Sequence, residues 1–305
     1  MAGQGTNILA LDYNNIQSKI GQILGTGAGN YGYNQTVLSS QVAVNQKITA
    51  LQWQNLYNDL IAARTHQTSA NETGNLTYPT TSTKILEADR AAYQSYVNVI
   101  DANRLIVPPA GQATLDTYAT GTRSSTWNGT ITHTVTITFA NANTARGFFN
   151  AGGYIQLSAS HTPDVSNLKN NSWQTMLANM GNIKMTYAAT TNTGSATGVT
   201  TSAIGFYQLT TSPQLIFQKL TEQSLYSPNQ YDIYANINGP ATAITFSIQF
   251  IDLSTAATEN TQAGTSNPFR VDDDVTGTLS SKVEGYRPSG ASVSITLPTT
   301  SQSGP

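Results

Sequence analysis

The sequence predicts an α+β protein: a helical N-terminal region, then an antiparallel β-sandwich of jelly-roll type carrying one short helix. Three observations predict it. Apolar residues recur at helical spacing through the first third of the chain, Pro108-Pro109 closes that stretch, and beyond it the apolar period falls from about 3.6 residues to about 2. These observations divide the chain into a helical attachment or oligomerisation region (1–107), a connector (108–128), a sandwich domain (129–298) and a tail (299–305).

The first helix is expected from Asp12 as cap through an apolar face of Ile16, Ile20, Ile23 and Leu24, and to stop at Gly25 and Gly27. Thr49 and Gln52 form a T-x-x-Q capping box ahead of Leu51, Trp53, Leu56, Tyr57, Leu60 and Ile61. A third helical stretch runs from about Ser82 to Arg104 with Ile85, Leu86, Tyr93, Tyr96, Val97 and Ile100 on one side. Each stripe is apolar on one face only and needs a partner, either another stripe or a neighbouring subunit. Ile16, Ile20, Ile23, Trp53, Leu60, Tyr93 and Tyr96 are therefore candidates for an interface between copies. No repeat of roughly 20–50 residues is evident.

Beyond the connector, Ile131, His133, Val135, Ile137 and Phe139 alternate with threonines, the period of a half-buried strand. Ile204 and Phe206; Leu215 and Phe217; Tyr231, Ile233, Ala235 and Ile237; and Ile244, Phe246, Ile248 and Phe250 repeat the pattern, with Val293, Ile295 and Leu297 as a last strand. Residues 145–185 interrupt it. Phe148 and Phe149 read as an aromatic turn, Gly152-Gly153 as a bend or close backbone approach, and Ile155, Leu157 and Ala159 as a strand. Ser172 stands as the cap of a short helix bearing Trp173, Met176, Leu177 and Met180, which Gly181 ends. Phe148, Phe149 and Trp173 complete the interface candidates. The polar tail Pro298–Pro305 is expected to be ordered only by contact with a neighbour.

Only 10% of the 305 residues are charged, the formal net charge is −2, and Ser, Thr, Asn, Gln and Gly fill the gap. Such a surface repels itself weakly and suits permanent packing against like copies. With no run of Lys or Arg there is no electrostatic footprint for nucleic acid. No cysteine means no disulfide and no thiolate chemistry. No apolar run reaches the length of a membrane span, and no signal segment is evident.

Asp272-Asp273-Asp274 offers oxygen ligands for calcium, but it lacks the spacing and glycine of an EF-hand and reads as a solvated turn. His66, His133 and His161 have no zinc spacing, and His133 reads as a hydrogen-bonded core histidine. Glu222, Asp232 and Asp252 are carboxylates that a glycosidase would need in pairs, yet nothing in the sequence singles them out. There is no G-x-S-x-G elbow, and Gly25, Gly27 and Gly29 follow a helix instead of opening one. The reading is of a chain with no catalytic residue, no metal and no cofactor. Tyr31, Tyr33, Tyr226 and Tyr231, near predicted loops or strand ends, read first as protein–protein interface residues, with Tyr226 and Tyr231 the candidates for stacking on a sugar ring.

The order Arg146, Phe148-Phe149, Asn150-Ala151-Gly152-Gly153, an alternating strand, then a Trp173-led helix ending at Met180-Gly181 resembles a family of tailed-bacteriophage virion structural proteins, common in cyanophage-type genomes. Asp12–Ile16 with its glycine-rich turn, and Val275–Ser281 leading to Arg287-Pro288-Ser289-Gly290, carry the same resemblance. It implies a virion component of the tail, neck or an appendage that is not an enzyme and whose partners are copies of itself, as a trimer or ring, and other virion proteins. The alternatives are a receptor- or glycan-binding tail-fibre module, which would take a host surface glycan, or a capsid decoration protein.

Overall fold

The three helices of the first third form as α1 (Ala10–Leu24), α2 (Ala50–Thr68) and α3 (Glu87–Ala102) in the computed structural model. It describes residues 8–254, 258–259, 269–270 and 274–305, the side chains of 258, 259, 269 and 270 excepted. Each helix opens with the same device, in which the third helical residue reaches back to the N–H of the cap. Leu9 N donates to Asp12 Oδ2 at 3.0 Å, Thr49 N to Gln52 Oε1 at 2.7 Å, and Leu86 N to Asp89 Oδ2 at 2.8 Å. Asp12 is thus the third residue of α1 and not its cap. At Thr49 the box is complete, with Gln52 N donating back to Thr49 Oγ1.

The three helices are also a repeat, which the sequence reading missed. Ile16, Ile20 and Ile23 recur 40 residues on as Leu56, Leu60 and Ala63, and 37 further on as Tyr93, Val97 and Ile100. All nine are buried. The turn before α2, closed by Gln46 N on Ala43 O, recurs before α3 as Thr83 N on Thr80 O, again 37 residues on. Identity along the repeat is low because each site keeps only apolar character and capping role.

The stripes close on one another. Tyr13, Trp53 and Tyr93 stack edge to face at 5.3 and 5.0 Å, and Val42, Leu76, Ala151 and Val293 complete the same core. The interface assignment of Ile16, Ile20, Ile23, Trp53, Leu60 and Tyr93 is therefore corrected: one chain supplies all the partners these residues need. Tyr96 packs on the edge of that core, its hydroxyl donating to the Glu72 carbonyl.

This helical unit comprises Met1–Thr114, Ala140–Gly153 and Tyr286–Leu297, so two later segments return to it. Phe148 and Phe149 lie in a helix, α4 (Ala142–Asn150), where a turn was expected, and both are buried. From α4, Arg146 Nη2 donates to the carbonyls of Thr26 and Gly27, and Asn150 Nδ2 lies 2.9 Å from Tyr31 O and 3.3 Å from the carbonyls of Gly29 and Gly32. The glycine-rich turn after α1 is held by these two side chains. Val293 is buried in this core, not on a strand of the sandwich: it lies in the bend between Ser289 and Ser294, which pair as an isolated bridge.

His66 on α2 gives the unit a pH dependence. Burial pulls its pKa from the ordinary 6.5 down to about 4, against a 2.9 Å contact of Nε2 with Ala151 O. A lowered folded-state pKa contributes stability above the unfolded value and loses it as pH falls through the folded one. About 2.5 units correspond to roughly 3 kcal/mol. Denaturant unfolding followed by Trp53 fluorescence, with the other tryptophans replaced by Phe, is expected to weaken between pH 6.5 and 4. His66→Gln is expected to flatten that slope; an unchanged slope would disprove the assignment.

The second unit comprises Leu115–Phe139, Tyr154–Gly285 and Pro298–Pro305 and holds two antiparallel sheets. Its strands are β1 (Ala113–Arg123), β2 (Gly129–Thr138), β3 (Tyr154–Thr162), β4 (Ile183–Met185), β5 (Thr190–Asn192), β6 (Val199–Thr201), β7 (Gln214–Leu220), β8 (Gln230–Ile237), β9 (Ala243–Asp252), the short pair β10 (Thr258–Glu259) and β11 (Phe269–Arg270), β12 (Thr278–Pro288) and β13 (Thr299–Ser303). One sheet has the order β1-β12-β3-β4-β5, the other β13-β2-β9-β8-β7-β6. The predicted α+β class with an antiparallel sandwich is therefore what forms.

Several elements differ in detail. β1 lies within the expected connector; its inward positions include Ala119 and Gly121, which give no apolar alternation. Helix α5 (Leu168–Met180) begins one turn earlier than expected, capped by Asn167 accepting from Asn170 N at 2.7 Å, and ends at Gly181 with φ +65°. Trp173 on α5 is buried against Trp127 and Phe250, which removes it from the interface candidates. Phe206 sits in a short 3₁₀ turn instead of a strand. The tail pairs with β2 through five residues as β13, covering an edge that would otherwise be open, so its order comes from its own chain.

Candidate functional site

Ala10 and Ala50, the first residues of α1 and α2, and Ile85, two residues before α3, line one cavity of about 950 Å³ in the helical unit. The helices therefore run in the same direction, and residues 25–49 and 69–86 carry the chain back each time. Trp53 is part of the lining and is buried. Leu9, Leu11 and Val44, also in the lining, expose 61%, 66% and 81% of their surface. Leu51 and Leu86, which follow Ala50 and Ile85 in the chain, are exposed too. One end of this unit is thus an apolar rim, while the stripes below it are closed.

The second surface belongs to the sandwich. In the six-stranded sheet, β2, β8 and β9 send Val135, Ile137, Ile233, Phe246, Ile248 and Phe250 to the buried side. The alternate positions face the other way. On β2 they are Thr130, Thr132, Thr134, Thr136 and Thr138; register pairs place Gln249, Ser247 and Thr245 of β9 beside the middle three. Asp232, Tyr234 and Asn236 of β8 lie beside those in turn, and Ser303, Ser301 and Thr299 of β13 flank Thr134, Thr136 and Thr138. The result is a face of hydroxyls and amides with one carboxylate among these residues.

Comparison with protein-family models, curated proteins and solved structures finds no match. The geometry of the chain itself carries the functional argument.

Tyr226 and Tyr231 are corrected as sugar-stacking candidates, since both are buried; Tyr231 packs edge to face with Phe217 and Phe250 at 6.3 and 5.1 Å. The carboxylates do not pair. Asp232 pairs in register with Gln249 on the outward side of the sheet, whereas Asp252 shares the parity of Phe250 on the inward side. Two carboxylates on opposite faces of one sheet cannot flank a glycosidic bond. Glu222 is a third case, exposed, with its Oε1 2.6 Å from Lys219 Nζ and its carboxylate accepting from Asn179 Nδ2.

Asp252 forms an ion pair with Lys169 of α5, 2.7 Å apart and both fully buried. Burial raises the pKa of Asp252, and the Lys169 ammonium opposes that rise. Burial likewise raises Asp232, opposed by the amide of Gln218. His133 bridges the sheets, Nδ1 2.9 Å from Ser281 Oγ and Nε2 3.1 Å from Gln302 Oε1. That Ser–His pair has the spacing of a nucleophile and base, but both residues have no exposed surface, so it serves as a polar rivet in the core. His161 is held between the carbonyls of Asn170 and Thr276 at 3.2 and 2.9 Å.

Among the described residues no group of three or more His, Cys, Asp or Glu could hold a metal ion, and no helix is long and apolar enough to cross a membrane. Asp272 and Asp273 lie outside the described residues; Asp274 is exposed. What sequence reasoning missed was the other half of its own strand pattern. The threonines at 130–138, which alternate with the core residues of β2, line its outward side.

Proposed function

We propose that the chain is a structural protein of a tailed-bacteriophage particle, of the tail, neck or an appendage, and that it acts by assembly. The observation that carries the reading is the apolar rim: Leu9, Leu11, Val44, Leu51 and Leu86 stay exposed at the end of the helical unit where its three helices begin. Side chains of this size left in water gain about 1.5–3 kcal/mol each when fully covered. In a chain with 10% charged residues, a neighbour can cover them with little desolvation of ions. Three separated stretches resembling virion structural proteins give the assembly its setting. The buried stripes of α1, α2 and α3, each satisfied within the chain, do not contribute.

Light scattering over a concentration series is the test. The full-length chain is expected to form a defined oligomer, and the rim variants Val44→Glu and Leu51→Glu to return it to a folded monomer with unchanged circular dichroism. A wild-type chain that stays monomeric at high concentration would sink the reading.

A further inference from the structure

We infer that Lys169 and Asn229 are the reactants of an internal amide bond, with Asp252 moving the protons and ammonia leaving. The bond would fasten α5 to the start of β8 inside the sandwich unit. This goes beyond the assembly reading, uses other residues and can fail separately from it.

Three side chains from three elements converge on Ser254. Lys169, in the first turn of α5, places Nζ 3.1 Å from the Ser254 carbonyl oxygen and 2.7 Å from Asp252 Oδ2. Asn229, one residue before β8, donates from Nδ2 to Ser254 Oγ at 3.1 Å. Asp252 ends β9, and its Oδ1 accepts from Ser254 Oγ at 3.0 Å. None of these four residues is more than 8% exposed, so bulk water is kept from the electrophile.

Each group has the surroundings its part requires. Asn229 Oδ1 accepts from the backbone N–H groups of Leu253 and Ser254 at 2.9 and 3.0 Å. Two fixed donors on an amide oxygen polarise its carbon and receive the charge that builds there when a nucleophile adds, as an oxyanion hole does. A lysine amine is a nucleophile only when neutral. The ion pair is therefore the resting form, and the bond closes slowly from the minor form in which Asp252 has taken one proton from Lys169. Asp252 Oδ2 accepts no aligned hydrogen bond, so its lone pairs are open to that proton. Burial raises the pKa of Asp252, which favours the neutral form, while Lys169, Ser254 and Asn229 oppose the rise.

The step balances without an oxidant or co-reactant. The Lys169 Nζ lone pair forms a bond to Asn229 Cγ, and the Cγ–Nδ2 bond breaks. Of the three ammonium protons, one stays on the new amide nitrogen, one ends on Asp252, and one reaches Nδ2 and leaves with it as ammonia. Holding the reactants side by side replaces the high concentration that the same condensation needs in solution.

Intact-mass spectrometry of the full-length chain during incubation at 37 °C and pH 8 tests the inference. A species lighter by about 17 Da, the mass of ammonia, is expected to accumulate. Its tryptic digest is expected to contain a branched peptide joining Lys169 to Asn229. The same chain held unfolded in concentrated urea is expected to form none, a control that needs no variant to fold. Lys169→Arg, which keeps a cation beside Asp252, is expected to form none either, and Asp252→Asn to react at least tenfold more slowly. An unchanged mass after a week overturns the inference. So does ammonia loss without the branched peptide, as from an imide at Asn128 or Asn238, each followed by glycine. A loss of about 18 Da with Lys169 joined to Asp252 overturns the choice of Asn229 as electrophile. Equal rates in Asp252→Asn and wild type overturn the part given to Asp252.

Discussion

Lys169→Met is expected to destabilise the sandwich by roughly 3–5 kcal/mol, the usual consequence of removing one partner from a buried ion pair. Lys169 Nζ lies 2.7 Å from Asp252 Oδ2 and donates to Ser254 O at 3.1 Å, with no solvent exposure at either charged side chain. Asp252 Oδ1 accepts from Ser254 Oγ at 3.0 Å, and Asn229 Oδ1 accepts from the N–H groups of Leu253 and Ser254 at 2.9 and 3.0 Å. This network fastens α5 to the end of β9. Methionine refills most of the volume of the lysine stem, so the loss isolates the stranded carboxylate from any packing defect.

The pH dependence of that loss has a definite sign. Burial already raises the pKa of Asp252 while Lys169 opposes it, so removing the ammonium raises it further. A raised folded-state pKa gives stability that is present below the unfolded carboxylate value and lost as pH rises through the folded one. Lys169→Met is therefore expected to lie closest to wild type at pH 4 and furthest at pH 8. The double variant Lys169→Met/Asp252→Leu is expected to recover most of the loss, because an apolar pair of similar volume replaces the buried ions at little or no cost. Urea unfolding followed by Trp173 fluorescence in a Trp53→Phe background measures both. A single variant within about 1 kcal/mol of wild type, or a double variant no better than the single, would contradict this account.

Patterns with a strong local cause were legible in the sequence. Thr49 and Gln52 specify their helix start through two short-range hydrogen bonds, and Ile244 to Phe250 specify their strand through period alone. The class of fold followed from these. What escaped notice depended on chain segments far apart. Nothing near Val293 says that it fills a helical core, and nothing near Ile16 says that Leu56 and Tyr93 complete its stripe. An amphipathic face declares that it will be covered, not by what, which is why core residues such as Ile20 and Phe149 were read as interface. The reverse error befell Tyr226 and Tyr231: tyrosine carries a polar tip and a large apolar body, and here burial of the body prevailed. The polar face of the six-stranded sheet was foreshadowed by the alternating threonines, but which residues stand side by side on it follows only from the register of β7, β8, β9 and β2.

Gly152→Ala is expected to cost more than about 4 kcal/mol, the range reached only by a named structural fault. Gly152 has φ +79°, and a Cβ there would fall onto the Ile106 carbonyl oxygen, 2.7 Å from its carbon and 2.8 Å from Pro108 Cδ. Backbone atoms cannot rotate away as a side chain can, so α4 or the segment before Pro108 would have to move. Gly29 is the control. It has φ +56° with open space around the Cβ position, so Gly29→Ala carries the left-handed strain alone, about 1–2 kcal/mol. The excess at Gly152 measures the close approach. Because α4 also carries Asn150 and Arg146 onto the carbonyls of residues 26–32, displacing it loosens the turn after α1, and the loss should appear in Trp53 fluorescence of the helical unit. The Arg-Gly-Phe-Phe-Asn-Ala-Gly-Gly stretch is then explained as an anchor, in which each conspicuous residue serves packing or backbone clearance. A Gly152→Ala variant no less stable than Gly29→Ala would remove that explanation.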